Sequence, residues 1–161
     1  MLGVNGIGKS TLLRTLAGLQ KKLAGRIEID GHSIDGISIS ERAKLVSIVL
    51  TERLHIEHIL VKDFIALGRS PYTGLLGNLS ANDDAAVEQI IATMKIAPLR
   101  NRLFSQLSDG ERQKVLIARA VCQETPVMIL DEPSAFLDFR NKKEIFVKKQ
   151  RQNSPKNKGH S

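Results

Sequence analysis

The sequence has a single cysteine, Cys122, so it cannot build a disulfide framework. That scarcity fits a reducing cytoplasm. Cys122 lies in an apolar helical stretch, where it reads as a small core residue and not as a reactive thiol. No apolar run approaches the roughly 20 residues that a membrane-spanning helix needs. The first residues lack the basic segment and apolar stretch that mark a signal peptide. Internal repeats are absent too. What is present suffices for one packed domain: 42% of the 161 residues are hydrophobic, too many for a disordered chain.

A formal charge of +7 suggests nucleic acid until the charges are located. Of the 24 Lys and Arg and the 17 Asp and Glu, residues 139–161 hold eight bases and one acid, Glu144. That leaves sixteen of each in residues 1–138, a neutral body. Its neutrality argues against a nucleic-acid partner. Residues 147–161 are expected to form a basic, disordered tail.

Periodicity predicts strands alternating with helices. Residues 9–20 place Leu12, Leu13, Leu16 and Leu19 on one helical side. Arg26–Asp30 alternates like a strand, and Lys44–Leu50 is a nearly continuous apolar run suited to a strand buried on both faces. Val61–Leu67 reads as a short helix that stops at Gly68, and glycine-rich Gly68–Leu79 reads as loop. Ser80 caps the next helix, Gly110–Gln123 is another, and Val127–Leu130 is a short strand ending on Asp131 and Glu132. The alternation predicts an α/β fold with a parallel sheet covered by helices. Residues 53–106 read as a helical insert in it. His32, His55 and His58 fall in loop-like sequence and carry no assigned role.

Three segments carry chemistry. Gly3-Val4-Asn5-Gly6-Ile7-Gly8-Lys9-Ser10-Thr11 matches G-x-x-x-x-G-K-[ST]. Its glycines let backbone N–H groups wrap a phosphate, and the helix that follows offers its positive end. Lys9 is expected to reach the β- and γ-phosphates, and the Ser10 hydroxyl to ligate Mg²⁺. The apolar strand Val127–Leu130 delivers Asp131 and Glu132 to its C-terminal end. There Asp131 suits a metal held through water and Glu132 a general base. Leu107-Ser108-Asp109-Gly110-Glu111 opens a helix and presents a further helix N-terminus. Alone, an acidic pair after a strand is an ordinary cap or turn, and a serine before a helix is a plain N-cap.

Together, in this order, the three resemble the nucleotide-binding subunits of ABC-type ATPases, which have a P-loop NTPase core with an inserted helical subdomain. Gly3–Thr11 matches the family's Walker A, Leu107–Glu111 resembles its LSGGQ signature, and Val127–Glu132 matches Walker B. Ser134–Asp138 looks like its D-loop. The segment Lys62–Tyr72, with Leu76–Ser80, resembles importers of iron-siderophore, haem and cobalamin complexes. The resemblance implies ATP and Mg²⁺ as cofactors. It implies catalytic roles for Glu132, Lys9 and Glu52, and metal contacts for Ser10, Asp131 and Glu52. Nucleotide contacts follow for Asn5, Gly6, Ile7, Gly8, Lys9, Ser10, Thr11, Ser108, Gly110 and Asp138. It implies head-to-tail pairing with a second copy or a second ABC ATPase subunit. It also implies docking on an integral membrane permease, at the cytoplasmic face of the cell membrane.

The chain departs from that pattern in places. The signature reads LSDGE, and Asp109 and Glu111 should weaken closure over a polyphosphate unless their side chains point away. Glu52 stands where the family has glutamine. Met1 falls inside the expected first strand, the adenine-stacking aromatic is missing, and His160 lies in polar tail where no switch histidine is expected. The expectation is therefore a partial nucleotide-binding domain over residues 1–146, truncated at both ends. An inactive fragment and a soluble ABC protein without a permease are the competing readings.

Overall fold

The computed structural model describes residues 8–29, 31–50, 56–73 and 77–131, with the backbone alone for Lys9 and Ser10. Helix α1 (Lys9–Leu16) follows the phosphate-loop motif but ends sooner than the leucine spacing predicts. Gly18 takes a φ of +67°. Its N–H donates to Thr15 O at 2.9 Å, and the Leu19 N–H donates to Arg14 O at 2.8 Å. That pair of bonds is the Schellman closure, which glycine makes cheap. Leu19 is thereby left outside the helix and exposed.

The strand expected over Arg26–Asp30 is shorter, β1 (Glu28–Ile29), and pairs antiparallel with β2 (His32–Ser33). Glu28 faces Ser33 and Ile29 faces His32, so His32 sits in a strand and not in a loop. Gly31, with a φ of +75°, lies between them, a conformation that glycine takes readily. Helix α2 (Ile39–Ala43) is an element the apolar spacing does not announce. A capping box opens it: the Ser38 N–H donates to Glu41 Oε2 at 2.7 Å, and the Glu41 N–H donates to Ser38 Oγ at 3.1 Å.

Strands β3 (Val46–Val49) and β4 (Val127–Leu130) form the expected parallel pair. Val46 lies opposite Val127 and Val49 opposite Leu130, and the ladder runs one bond further, from the Asp131 N–H to Val49 O at 2.9 Å. Ala17, Ile29, Ile34 and Val46 join α1, the hairpin and β3 in a small core.

A larger core lies between α3 (Val61–Ala66), α4 (Ala81–Thr93) and α5 (Asp109–Cys122). Phe64 and Phe104 stack at 4.4 Å within it, beside Ile65, Val87, Val115 and Ile117. Each such side chain contributes roughly 1.5–3 kcal/mol by leaving water. The chain from Leu67 to Arg69 continues α3 as a tight 3₁₀ turn, so it does not stop at Gly68; residues 70–73 and 77–79 beyond it are irregular, as expected. Gly68 is the reason: a Cβ there would lie 2.4 Å from Arg119 O, so glycine lets this turn lie directly on α5.

The next residue, Arg69, is 8% exposed. Its Nε donates to Asp83 Oδ1 at 2.8 Å and its Nη1 to Cys122 O at 2.9 Å. Glu124 adds a carboxylate at 3.2 Å, and the Tyr72 ring lies 4.3 Å from the guanidinium carbon. The Tyr72 hydroxyl donates to Gln123 O at 2.9 Å. Gln123 Nε2 in turn donates to Ala43 O at 2.6 Å and Val46 O at 3.3 Å. One end of α5 thus ties the helical layer to the sheet. Asp83 also closes the α4 capping box, and the Ser80 hydroxyl and N–H, with Arg69, hold its carboxyl down at about 2.

Two outcomes follow. Gly68→Ala should lower stability by roughly 1–3 kcal/mol through overpacking; an unchanged urea midpoint would mean that the turn and α5 can move apart freely. Asp83 has a depressed folded value, so its contribution is complete above its unfolded value near 4 and is lost as pH falls toward about 2. Asp83→Asn should cost about 3 kcal/mol at pH 7, as loss of a buried partner does. It should also flatten the acid side of the stability–pH curve, and equal acid slopes in both forms would contradict the assignment.

Candidate functional site

Gly8 is the N-cap of α1, with φ +73° and ψ 15°. A Cβ there would meet nothing within 4 Å, so glycine is favoured by conformation and not by crowding. Among the described residues no side chain caps α1, and its first turn carries no acid. The other described helices differ. α2, α4 and α5 are each closed by a capping box ending in their own carboxylate, Glu41, Asp83 and Glu111. α3 has Asp63 in its first turn, and its Val61 and Lys62 N–H groups donate to Arg102 O and Arg100 O at 3.0 Å. Among the described α-helices, α1 alone combines an N-terminus without a side-chain cap with a first turn free of acid. Its orphan N–H donors and positive dipole end suit an anion.

Asp131 follows β4 directly and is 5% exposed. The parallel ladder fixes its backbone through Val49, which places it at the C-terminal edge of the β3–β4 pair, where open α/β sheets carry their sites. Among the described residues no three His, Cys, Asp or Glu side chains gather into a metal cage. Mg²⁺ does not need one: it is held by one or two carboxylates together with phosphate oxygens. An open helix end and a single strand-end carboxylate fit a magnesium–polyphosphate.

The α5 N-terminus is built otherwise. The Ser108 N–H and hydroxyl donate to Glu111 Oε2 at 2.9 and 2.8 Å, and the Glu111 N–H donates to Ser108 Oγ at 3.4 Å. Arg102 Nη1 donates to Glu111 Oε1 at 3.1 Å. The Ser108 bonds first, and Arg102 after them, hold the Glu111 carboxyl below the ordinary range. Glu111 therefore turns back onto its own cap, which answers the concern raised by two acids in LSDGE. Asp109 is exposed, with Arg112 at 3.9 Å. Gly110 is exposed, and a Cβ there would meet open space.

Of the other site residues read from the sequence, Lys9, Ser10 and Thr11 occupy the first turn of α1, and Thr11 is exposed. Asn5, Gly6, Ile7, Glu52, Glu132 and Asp138 lie outside the described residues. Cys122 is fully buried, and burial pushes its thiol up to about 11, as suits a core residue. Arg102 carries no sequence signal of its own. It acts on Glu111 across nine positions and a turn, which no short motif spans.

Comparison with known proteins agrees with this geometry. Residues 1–135 match the family model for the ABC transporter. An uncharacterized ABC transporter ATP-binding protein of Methanocaldococcus jannaschii is 41% identical over 145 residues, 90% of this chain and 50% of the relative. The petrobactin import ATP-binding protein FpuC of Bacillus anthracis is 37% identical over 90% of this chain and 53% of its own length. Among solved structures, CbiO1 from Clostridium perfringens, part of the ABC transporter complex CbiONQ, superposes with a TM-score of 0.69 at 28% identity. That match covers 93% of this chain and 61% of CbiO1. The chain spans about half the length of the curated relatives it matches. With the open α1 N-terminus and Asp131 at the end of a parallel strand, these matches show that the chain belongs to the ABC transporter family and has its ATPase fold.

Proposed function

We propose that this chain binds MgATP and is the ATP-hydrolysing part of a subunit that energises an importer for iron-siderophore, haem or cobalamin complexes. The observation that carries the reading is the uncapped, acid-free start of α1, together with the buried Asp131 at the C-terminal end of β4. The Lys62–Tyr72 segment and the petrobactin-import relative support the import class.

In this reading the N–H groups of residues 5–11 hold the phosphates, and Lys9 sets its charge against the β- and γ-oxygens. Ser10 and Asp131 would hold Mg²⁺, with Glu52 as a further oxygen donor. Bound there, the ion would neutralise charge developing on the phosphoryl oxygens. Glu132 takes the proton from the attacking water. Ser108 and Gly110, at the start of α5, close over a nucleotide held by a second subunit, and Asp138 lies at that same interface. Among the described residues no helix is long and apolar enough to cross a membrane. A separate permease would supply the pathway, with this subunit on its cytoplasmic face.

Calorimetry tests the site. Lys9→Ala should weaken MgATP binding by tenfold or more, at about 1.4 kcal/mol per decade, and unchanged affinity would mean that the loop is not the site. Glu132→Gln should bind MgATP normally yet lower steady-state hydrolysis by about 10²–10⁴-fold. Turnover at the wild-type rate would remove Glu132 from the mechanism.

A further inference from the structure

We propose that Arg102 is a positioning residue for the α5 N-terminus: by holding the Glu111 carboxylate, it leaves the Ser108 hydroxyl able to serve a phosphate. The proposal rests on the reading that this N-terminus closes over ATP on a second subunit, and it assigns a part to a residue which that reading does not use.

The Ser108 hydroxyl has one hydrogen, and here it goes to Glu111 Oε2 at 2.8 Å. A hydroxyl so engaged cannot also donate to a phosphate oxygen. A carboxylate this near would repel the phosphate as well. Glu111 has a second holder. Arg102 Nη1 grips its other oxygen at 3.1 Å, and Arg102 Nη2 is anchored on Gln106 O at 2.8 Å. Arg102 O in turn accepts the Val61 N–H at 3.0 Å, which roots the residue at the start of α3. Arg102 is therefore fixed from outside α5.

When a phosphate arrives, the Ser108 O–H can turn from Glu111 to the incoming oxygen. The carboxylate keeps the Ser108 N–H, at 2.9 Å, and keeps Arg102. No covalent bond changes. Without Arg102, Glu111 would hold only Ser108, and its charge would stand unanswered beside the phosphate. The remaining acid, Asp109, is 84% exposed in its side chain and leans on Arg112. Side chains of Arg102 and Glu111 are 42% and 33% exposed, and pairs this open add little to stability. Charge placement explains the pair better than stabilisation does.

The test uses the 161-residue chain in five forms: wild type, Arg102→Ala, Arg102→Lys, Glu111→Gln, and Arg102→Ala with Glu111→Gln. Sedimentation reads self-association in MgATP, and calorimetry reads MgATP affinity. Arg102→Ala should weaken association about tenfold, one unanswered charge in a partly screened site, while leaving MgATP affinity unchanged. Arg102→Lys and Glu111→Gln should each associate like wild type. The double variant should recover, because removing the carboxylate removes the need for the cation. Wild-type association by Arg102→Ala, or a loss that the double variant fails to restore, overturns the proposal and leaves the proposed function intact. Should Arg102→Ala not fold, weakened association by Arg102→Lys or by Glu111→Gln overturns it. A wild-type chain that binds MgATP without associating removes the shared site and this proposal together.

Discussion

Arg69 carries its charge at 8% exposure, a position that desolvation opposes unless each donor is answered. The answers come from three directions: Asp83 at the start of α4, Cys122 O and Glu124 at the end of α5, and the Tyr72 ring. Because all must be met at once, the start of α4 and the end of α5 have one allowed relation to the turn after α3. Gly68 enforces the same relation by contact, since any side chain there would strike Arg119 O. Gln123 passes the constraint to the sheet through Ala43 and Val46. β4 leaves α5 within a few residues, so the placement of α5 also sets where Asp131 emerges.

Against that frame, the helix ends are dressed differently. Three described helices fold a carboxylate back over their own N-terminal donors, and α3 gives its first donors to carbonyls. In α2, α3 and α4 this closure leaves no place for an anion. Among the described residues nothing closes α1 in this way, and the left-handed Gly8 leads into it. α5 sits between these cases. Its cap is closed, but by a carboxylate that a second group, Arg102, also holds.

Local signals were legible in the sequence and distant ones were not. The strand Val127–Leu130 matches its apolar run residue for residue, and α5 begins one residue before Gly110. Both follow from periodicity and a cap, which are contained in a dozen residues. The early end of α1 depends on Gly18, and the hairpin turns at Gly31; both are local signals that a reading by apolar spacing passes over. The burial of Arg69 is another matter. Its partner carbonyl on Cys122 is 53 positions away, so a run that looks like polar loop becomes a packed joint only once α5 is present. The site follows the same division. Gly8 and Asp131 were legible as motif members, whereas the hold of Arg102 on Glu111, nine positions away, was not.

The central claim is that the open start of α1 and the carboxylate of Asp131 belong to one magnesium–nucleotide site. A crystal structure of the chain with Mg²⁺ and a non-hydrolysable ATP analogue tests it most directly. The claim predicts phosphate oxygens on the N–H groups of residues 8–11 and the ion between those oxygens and Asp131. A bound analogue whose phosphates lie away from α1, or an ion out of reach of Asp131, would contradict it.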